Sequence, residues 1–101
     1  MDLTQEEWSS KFASDDKAYL LDVRTLEEFE EGHIPNANML DIREVQSFME
    51  GLQSMDSSKH FYVYCRSGAR SAQACQVMNQ MGIKKTYNLL GGFMEWQGET
   101  A

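Results

Sequence analysis

Four short strand-like segments, each followed by a helical pattern, constrain this chain more than any other feature. They are Tyr19-Leu20-Leu21-Asp22-Val23, Ala37 to Leu40, Phe61-Tyr62-Val63-Tyr64 and Thr86 to Leu89. Runs this short and this nearly continuous suit strands covered on both faces of a parallel sheet, not strands with one wet face. Between them stand segments with helix-start chemistry. Thr4-Gln5-Glu6-Glu7 and Thr25-x-x-Glu28 each form a capping box, in which the threonine hydroxyl accepts from the third backbone N–H and the glutamate reaches back. Asp41-x-x-Glu44 repeats the pattern, with Leu40 and Val45 as a hydrophobic staple. The predicted helices run over about 5–13, from Thr25 to Gly32, along the face Ile42, Val45, Phe48, Met49 and Leu52, and from the loop after Cys65 to about Met81. In that last helix Ala72, Cys75 and Met78 recur on one face, and Gly82 ends it. Gly91-Gly92 leads into a short terminal helix holding Phe93 and Trp96. Strand–helix alternation at short spacing predicts an α/β fold: a three-layer α/β/α sandwich around a mainly parallel sheet of four to five strands.

The length, 101 residues, and the absence of any linker, repeat or low-complexity tract give a single domain over 1–101. A formal charge of −7 argues against nucleic acid or an anionic membrane as a general partner, because the overall field repels phosphates. Any anion site must be local. Two cysteines build no disulfide framework, no stretch approaches the ~20 apolar residues of a membrane span, and Met1 to Ser10 is acidic where a secretory signal is basic. The expected setting is cytoplasmic.

In an open α/β sheet, ligands bind beyond the carboxyl ends of the strands, where the first N–H groups of the next helix are unpaired. Cys65-Arg66-Ser67-Gly68-Ala69-Arg70-Ser71 occupies such a place. Thiolate is the reactive form of cysteine, and both a helix N-terminus and nearby cations favour it. Cys65 is therefore the candidate nucleophile. Gly68 lets the backbone bend around the sulfur, and the small Ser67 and Ala69 leave the amides of residues 66–70 free to cradle an anion. Arg66 and Arg70 are expected to attract an anionic donor and balance charge on the leaving group. The reading requires the sulfur to be open at the mouth of a pocket, with these amides aimed inward.

Three segments carry a resemblance that covers nearly the whole chain. They are Leu20-Leu21-Asp22-Val23-Arg24 followed by Glu28-Phe29 and Gly32-His33-Ile34-Pro35; the loop from Tyr64 to Ser71; and Leu90-Gly91-Gly92-Phe93 with Trp96. In this order and spacing they resemble the rhodanese-like sulfurtransferases. Asn36 stands where that family usually has glycine, and Met1 to Leu3 is all the chain offers for the family's first strand. The resemblance implies a five-stranded parallel sheet between helices, and transfer of sulfane sulfur from a small anionic donor such as thiosulfate to cyanide or a thiol. The sulfur would pass through a persulfide on Cys65, and no cofactor is needed. Arg66 directly after the cysteine resembles the thiosulfate-using branch. A thiol-bearing protein is a further possible acceptor, and a sulfur-carrier or docking module of the same fold is the alternative of a different class. A cysteine phosphatase or arsenate reductase is the rival enzyme. Those need C-x5-R to surround a tetrahedral oxyanion, whereas the count here is C-x4-R, with Ser71 where that arginine would stand.

The remaining chemistry-bearing residues read as structural. About eight helical residues at ~1.5 Å rise would separate Cys75 from Cys65 by about 12 Å, beyond the ~7 Å limit for a disulfide, so Cys75 is assigned to the core. Asp22 and Arg24, at the end of a buried strand, read as structural, because a carboxylate in such a place is tied to backbone amides or to an arginine. His33 lies in a turn with no partner at metal-ligand spacing, so no metal site is expected; His60 is read as solvated, as is the run Glu27 to Glu31. Met39, Met49, Met78 and Met81 read as core gap-fillers, Gly91-Gly92 as close packing near the active loop, and Trp96 as a core anchor.

Overall fold

Phe61, Tyr62, Val63 and Tyr64 have no accessible surface, as expected of a central strand covered on both faces. The structure is a computed structural model that describes all 101 residues, Met1–Ala101. Its elements are β1 (Asp2–Leu3), α1 (Gln5–Ala13), β2 (Ala18–Asp22), α2 (Leu26–Glu31), β3 (Asn38–Met39), α3 (Val45–Gln53), β4 (His60–Tyr64), α4 (Ala69–Gln80) and β5 (Thr86–Leu89). A 3-10 turn over Phe93–Glu95 follows. The five strands form one sheet in the order β1-β5-β4-β2-β3, and every pairing is parallel. No helix is long and apolar enough to cross a membrane.

The period of two along the strands divides the core between the two faces. Leu21, Phe61 and Val63 point to one side and meet Phe48 and Leu52 of α3 and Ala74, Cys75 and Met78 of α4. Leu20, Tyr62, Tyr64, Tyr87 and Leu89 point to the other and meet Trp8 of α1, with Phe93 and Trp96 packed alongside. Trp8 stacks on Phe12, meets Tyr62 and Trp96 edge-on, and donates its indole N–H to the Tyr87 carbonyl at 3.1 Å. Both threonine capping boxes form as read, and Gly32 ends α2.

Four local expectations need correction. Asp41 does not cap α3; its carboxylate accepts from the Arg43 amide, the helix starts at Val45, and Glu44 makes no side-chain cap. A carboxylate two residues before an amide closes an Asx turn, which competes with the capping box for the same oxygen. Val45, with its preceding turn rearranged, is 68% exposed instead of buried. In α4 the buried stripe is Ser71, Ala74, Cys75 and Met78, while Ala72 faces out. The stripe is displaced because Ser71 faces the site, so a polar residue takes an inward position that apolar periodicity cannot reveal. His60 is half-buried and paired instead of free in solvent: its Nδ1 lies 2.8 Å from Asp15 Oδ2, which also accepts the Tyr62 hydroxyl at 2.6 Å.

Asn36, the departure after Pro35, adopts φ 69°. Asparagine is among the few residues that tolerate this left-handed region, so the turn keeps a conformation suited to glycine.

Candidate active site

The loop between β4 and α4 is shaped by where its carbonyls go. Phe93 N–H donates to the Cys65 carbonyl at 2.8 Å and Met94 N–H to the Arg66 carbonyl at 2.9 Å. Asn88 Nδ2 donates to the Gly68 carbonyl at 3.2 Å. With these carbonyls held by β5 and the turn after it, the amides of Ser67, Gly68 and Ser71 are left to face the sulfur. Gly92 makes the approach possible: a Cβ there would stand 2.3 Å from the Arg66 carbonyl oxygen, and its φ of 60° is itself a glycine conformation. Gly68, at φ 104°, is the residue before α4 and turns the chain into the helix.

Cys65 Sγ accepts from the Gly68 amide at 3.1 Å and lies 3.4 Å from Ser71 Oγ. Burial pushes the thiol up. Hydrogen bonds from the Ser71 hydroxyl and from the amides of Ser71, Gly68 and Ser67 outweigh it, so Cys65 sits below the ordinary cysteine value. Cys75 shows the contrast, since burial prevails over its one side-chain hydrogen bond, from Thr86, and pushes it up to about 11. It is 5% exposed and belongs to the core, as expected, and both cysteines are free.

The sulfur is not open at a pocket mouth: Cys65 is 0% exposed and is counted among the core of the α3–α4 face. The loop folds over it because the same amides that stabilise the thiolate must come within hydrogen-bonding distance. The adjacent hollow, of about 490 Å³, is lined by Arg24, Glu28, Glu31, Arg66, Phe93 and Met94. Arg66 and Ser67 are exposed, as is Ala69, which opens α4. Arg70 is the larger departure. Instead of facing an empty anion site, its fork donates Nη1 to Glu28 Oε1 at 2.8 Å and Nη2 to Glu28 Oε2 at 2.9 Å. This bidentate pair holds Glu28 down at about 2.

Asp22 and Arg24 have the structural role expected of them. Arg24 Nε and Nη2 reach the two Asp22 oxygens at 2.9 and 2.6 Å, Nη2 also donates to the Gly32 carbonyl at 2.8 Å, and the guanidinium lies over the Phe93 ring. The pair thereby fixes the end of β2 against the turn after α2.

Sequence reasoning missed two residues at this site. The sequence shows Glu28 only as a cap on a solvated face, whereas in the structure it performs the cap and also holds Arg70. Asn88 sits in the strand-like segment from Thr86 to Leu89 with no local motif to mark a role. Its Oδ1 accepts a very short hydrogen bond from Ser71 Oγ, and its Nδ2 serves both Asp2 and the loop. The available signal was an amide side chain in the middle of a buried strand, since such a group must find partners.

Residues 4–99 match the model of the rhodanese-like domain, and the chain belongs to that family. YtwF of Bacillus subtilis is 40% identical over 90 residues, covering 89% of this chain and 84% of the relative. The thiosulfate sulfurtransferase GlpE of Coxiella burnetii is 36% identical over 78 residues, 77% of this chain and 70% of that protein. Among solved structures, the crystal structure of a rhodanese-like domain protein from Staphylococcus aureus superposes with a TM-score of 0.81 at 30% identity, covering 97% of this chain and 92% of that one.

Proposed function

We propose that this chain is a sulfurtransferase whose nucleophile is Cys65, with thiosulfate as a donor and a thiol or cyanide as acceptor. One observation carries the reading: the Gly68 amide and the Ser71 hydroxyl converge on a single sulfur at the start of a helix. Donors fixed on a sulfur stabilise negative charge there, first on the thiolate and then on the outer sulfur of a persulfide. The Cys65 thiolate attacks the outer sulfur of thiosulfate. The donor S–S bond breaks, sulfite leaves with the electron pair, and a new S–S bond joins that sulfur to Cys65. The acceptor then attacks the same outer sulfur, and the Cys65 thiolate leaves. Atoms and charge balance at each step without an external reductant.

A sulfur with no accessible surface must be uncovered to react, so the chemistry requires local opening of the loop around Arg66 and Ser67, its exposed residues. Arg66, in no ion pair and beside the hollow, meets the incoming anion. The test is intact mass after incubation with thiosulfate. The wild type should gain one sulfur atom and Cys65→Ser none. No gain from thiosulfate, polysulfide or an alkyl persulfide would refute the reading. A stoichiometric gain that no thiol or cyanide discharges would assign the chain to the carrier class instead.

A further inference from the structure

The hollow beside Cys65 has no excess of positive charge, although two arginines follow the cysteine. Arg24 is neutralised by Asp22 at 2.6 Å and Arg70 by Glu28 at 2.8 Å. Arg66 is the one guanidinium near the loop outside any ion pair, and Glu31 shares the hollow with it. We infer that Glu28 is a specificity-determining residue: by holding both arms of the Arg70 fork, it sets the site against dianionic donors and favours persulfide donors that carry a single charge. The inference rests on the sulfurtransferase reading above and deepens it by naming the donor class.

The geometry explains why the lock is firm. The Glu28 carboxylate cannot easily turn away, because Oε1 also accepts from the Thr25 amide and hydroxyl, both at 3.1 Å. The capping box that starts α2 thus anchors the group that restrains the active loop, which joins two distant segments of the chain. A dianion entering the hollow meets Arg66 and the repulsion of the Glu31 carboxylate, with no free fork to bind it bidentately. A singly charged donor R–S–S⁻ meets half of that repulsion. In its protonated form the step is Cys65–S⁻ + R–S–SH → Cys65–S–SH + R–S⁻: the donor S–S bond breaks, a new one forms to Cys65, and the proton stays on the transferred sulfur.

Glu28→Gln tests this. The glutamine carbonyl oxygen can still accept from Thr25, keeping the cap, while its NH2 group cannot accept from Arg70. With one fork arm released, KM for thiosulfate should fall about tenfold, the equivalent of one charge-assisted hydrogen bond of about 1.4 kcal/mol. KM for 2-hydroxyethyl persulfide should change less than about twofold, so the ratio of the two KM values carries the test. Arg70→Ala should raise KM for thiosulfate, because Glu28 is left as an uncompensated charge, and the double variant should return it to near the wild-type value. Equal changes for both donors, an unchanged thiosulfate KM in Glu28→Gln, or a double variant whose thiosulfate KM stays tenfold below the wild-type value would each overturn the inference. Intact mass separates it from the reading beneath it. If neither donor adds sulfur to Cys65 in any variant, the sulfurtransferase reading fails; if sulfur is added but the KM ratio stays put, only the role of Glu28 fails.

Discussion

Replacing Ser71 with alanine isolates the side-chain contribution to the reactivity of Cys65. The hydroxyl has one proton and two acceptors: Asn88 Oδ1, which it contacts closely, and Cys65 Sγ at 3.4 Å. The sulfur contact is long, so its worth to a thiolate lies near the lower end of hydrogen bonds to charged groups, about 1.5 kcal/mol. That corresponds to about a tenfold lower thiolate fraction at any pH below the midpoint. The same substitution strips Asn88 Oδ1 of its hydroxyl donor inside the protein and should cost about 1–3 kcal/mol of stability. The assay is alkylation of Cys65 by iodoacetamide as a function of pH, resolved by peptide mass so that Cys75 is followed separately. Because Cys65 reacts only when the loop opens, the absolute rate mixes opening with ionisation, whereas the pH midpoint reports ionisation alone. The midpoint should move to higher pH in Ser71→Ala. An unmoved midpoint, in a variant that nonetheless loses stability, would show that the hydroxyl serves Asn88 only and that the amides set the thiolate by themselves.

Gly92→Ala should lose about 3 kcal/mol or more by urea unfolding, since it combines a glycine-only conformation with a contact of 2.3 Å to the Arg66 carbonyl. Gly82→Ala, at φ 93° with open space around it, should lose only about 1–2 kcal/mol; equal losses would mean that the close approach to the loop is unimportant. Stability should also decline in acid. The Arg70 pair holds Glu28 at about 2 against an ordinary 4.5. At Asp15 burial acts upward, but the Tyr62 and His60 bonds prevail and hold it at about 2 against 3.8. A carboxylate depressed in the folded state contributes fully above its unfolded value and is lost as pH falls through the folded one, so the urea midpoint should drop between about pH 4.5 and about pH 2. A flat profile over that window, or one unaltered by Asp15→Asn and Glu28→Gln together, would refute the linkage.

Much of this molecule is legible without coordinates, because the signals involved are local. A threonine followed three residues later by glutamate starts a helix through contacts within one turn, and α1 and α2 begin where Thr4 and Thr25 place them. Thr86 to Leu89 reads as a strand because its aromatic and aliphatic side chains suit a covered sheet, and β5 occupies those residues. The position of Cys65, between a buried strand and a helix N-terminus, follows from the same alternation. What failed locally did so through competition at close range, as at Asp41, where an Asx turn and a capping box contend for one carboxylate.

The sequence by itself determined the order of elements, the sheet class and the loop that bends around a sulfur, since backbone preference, side-chain period and glycine placement act between near neighbours. Only tertiary structure decided how that loop is charged and closed. Glu28 and Arg70 lie 42 residues apart, and Ser71 and Asn88 lie 17 apart. Their meetings depend on which strand lies beside which in the β1-β5-β4-β2-β3 order. No local propensity encodes that neighbourhood, because it arises from burying both faces of the sheet at once. The sulfur was therefore placed by sequence, while the carboxylate that restrains its arginine and the amide that holds its serine were placed by packing.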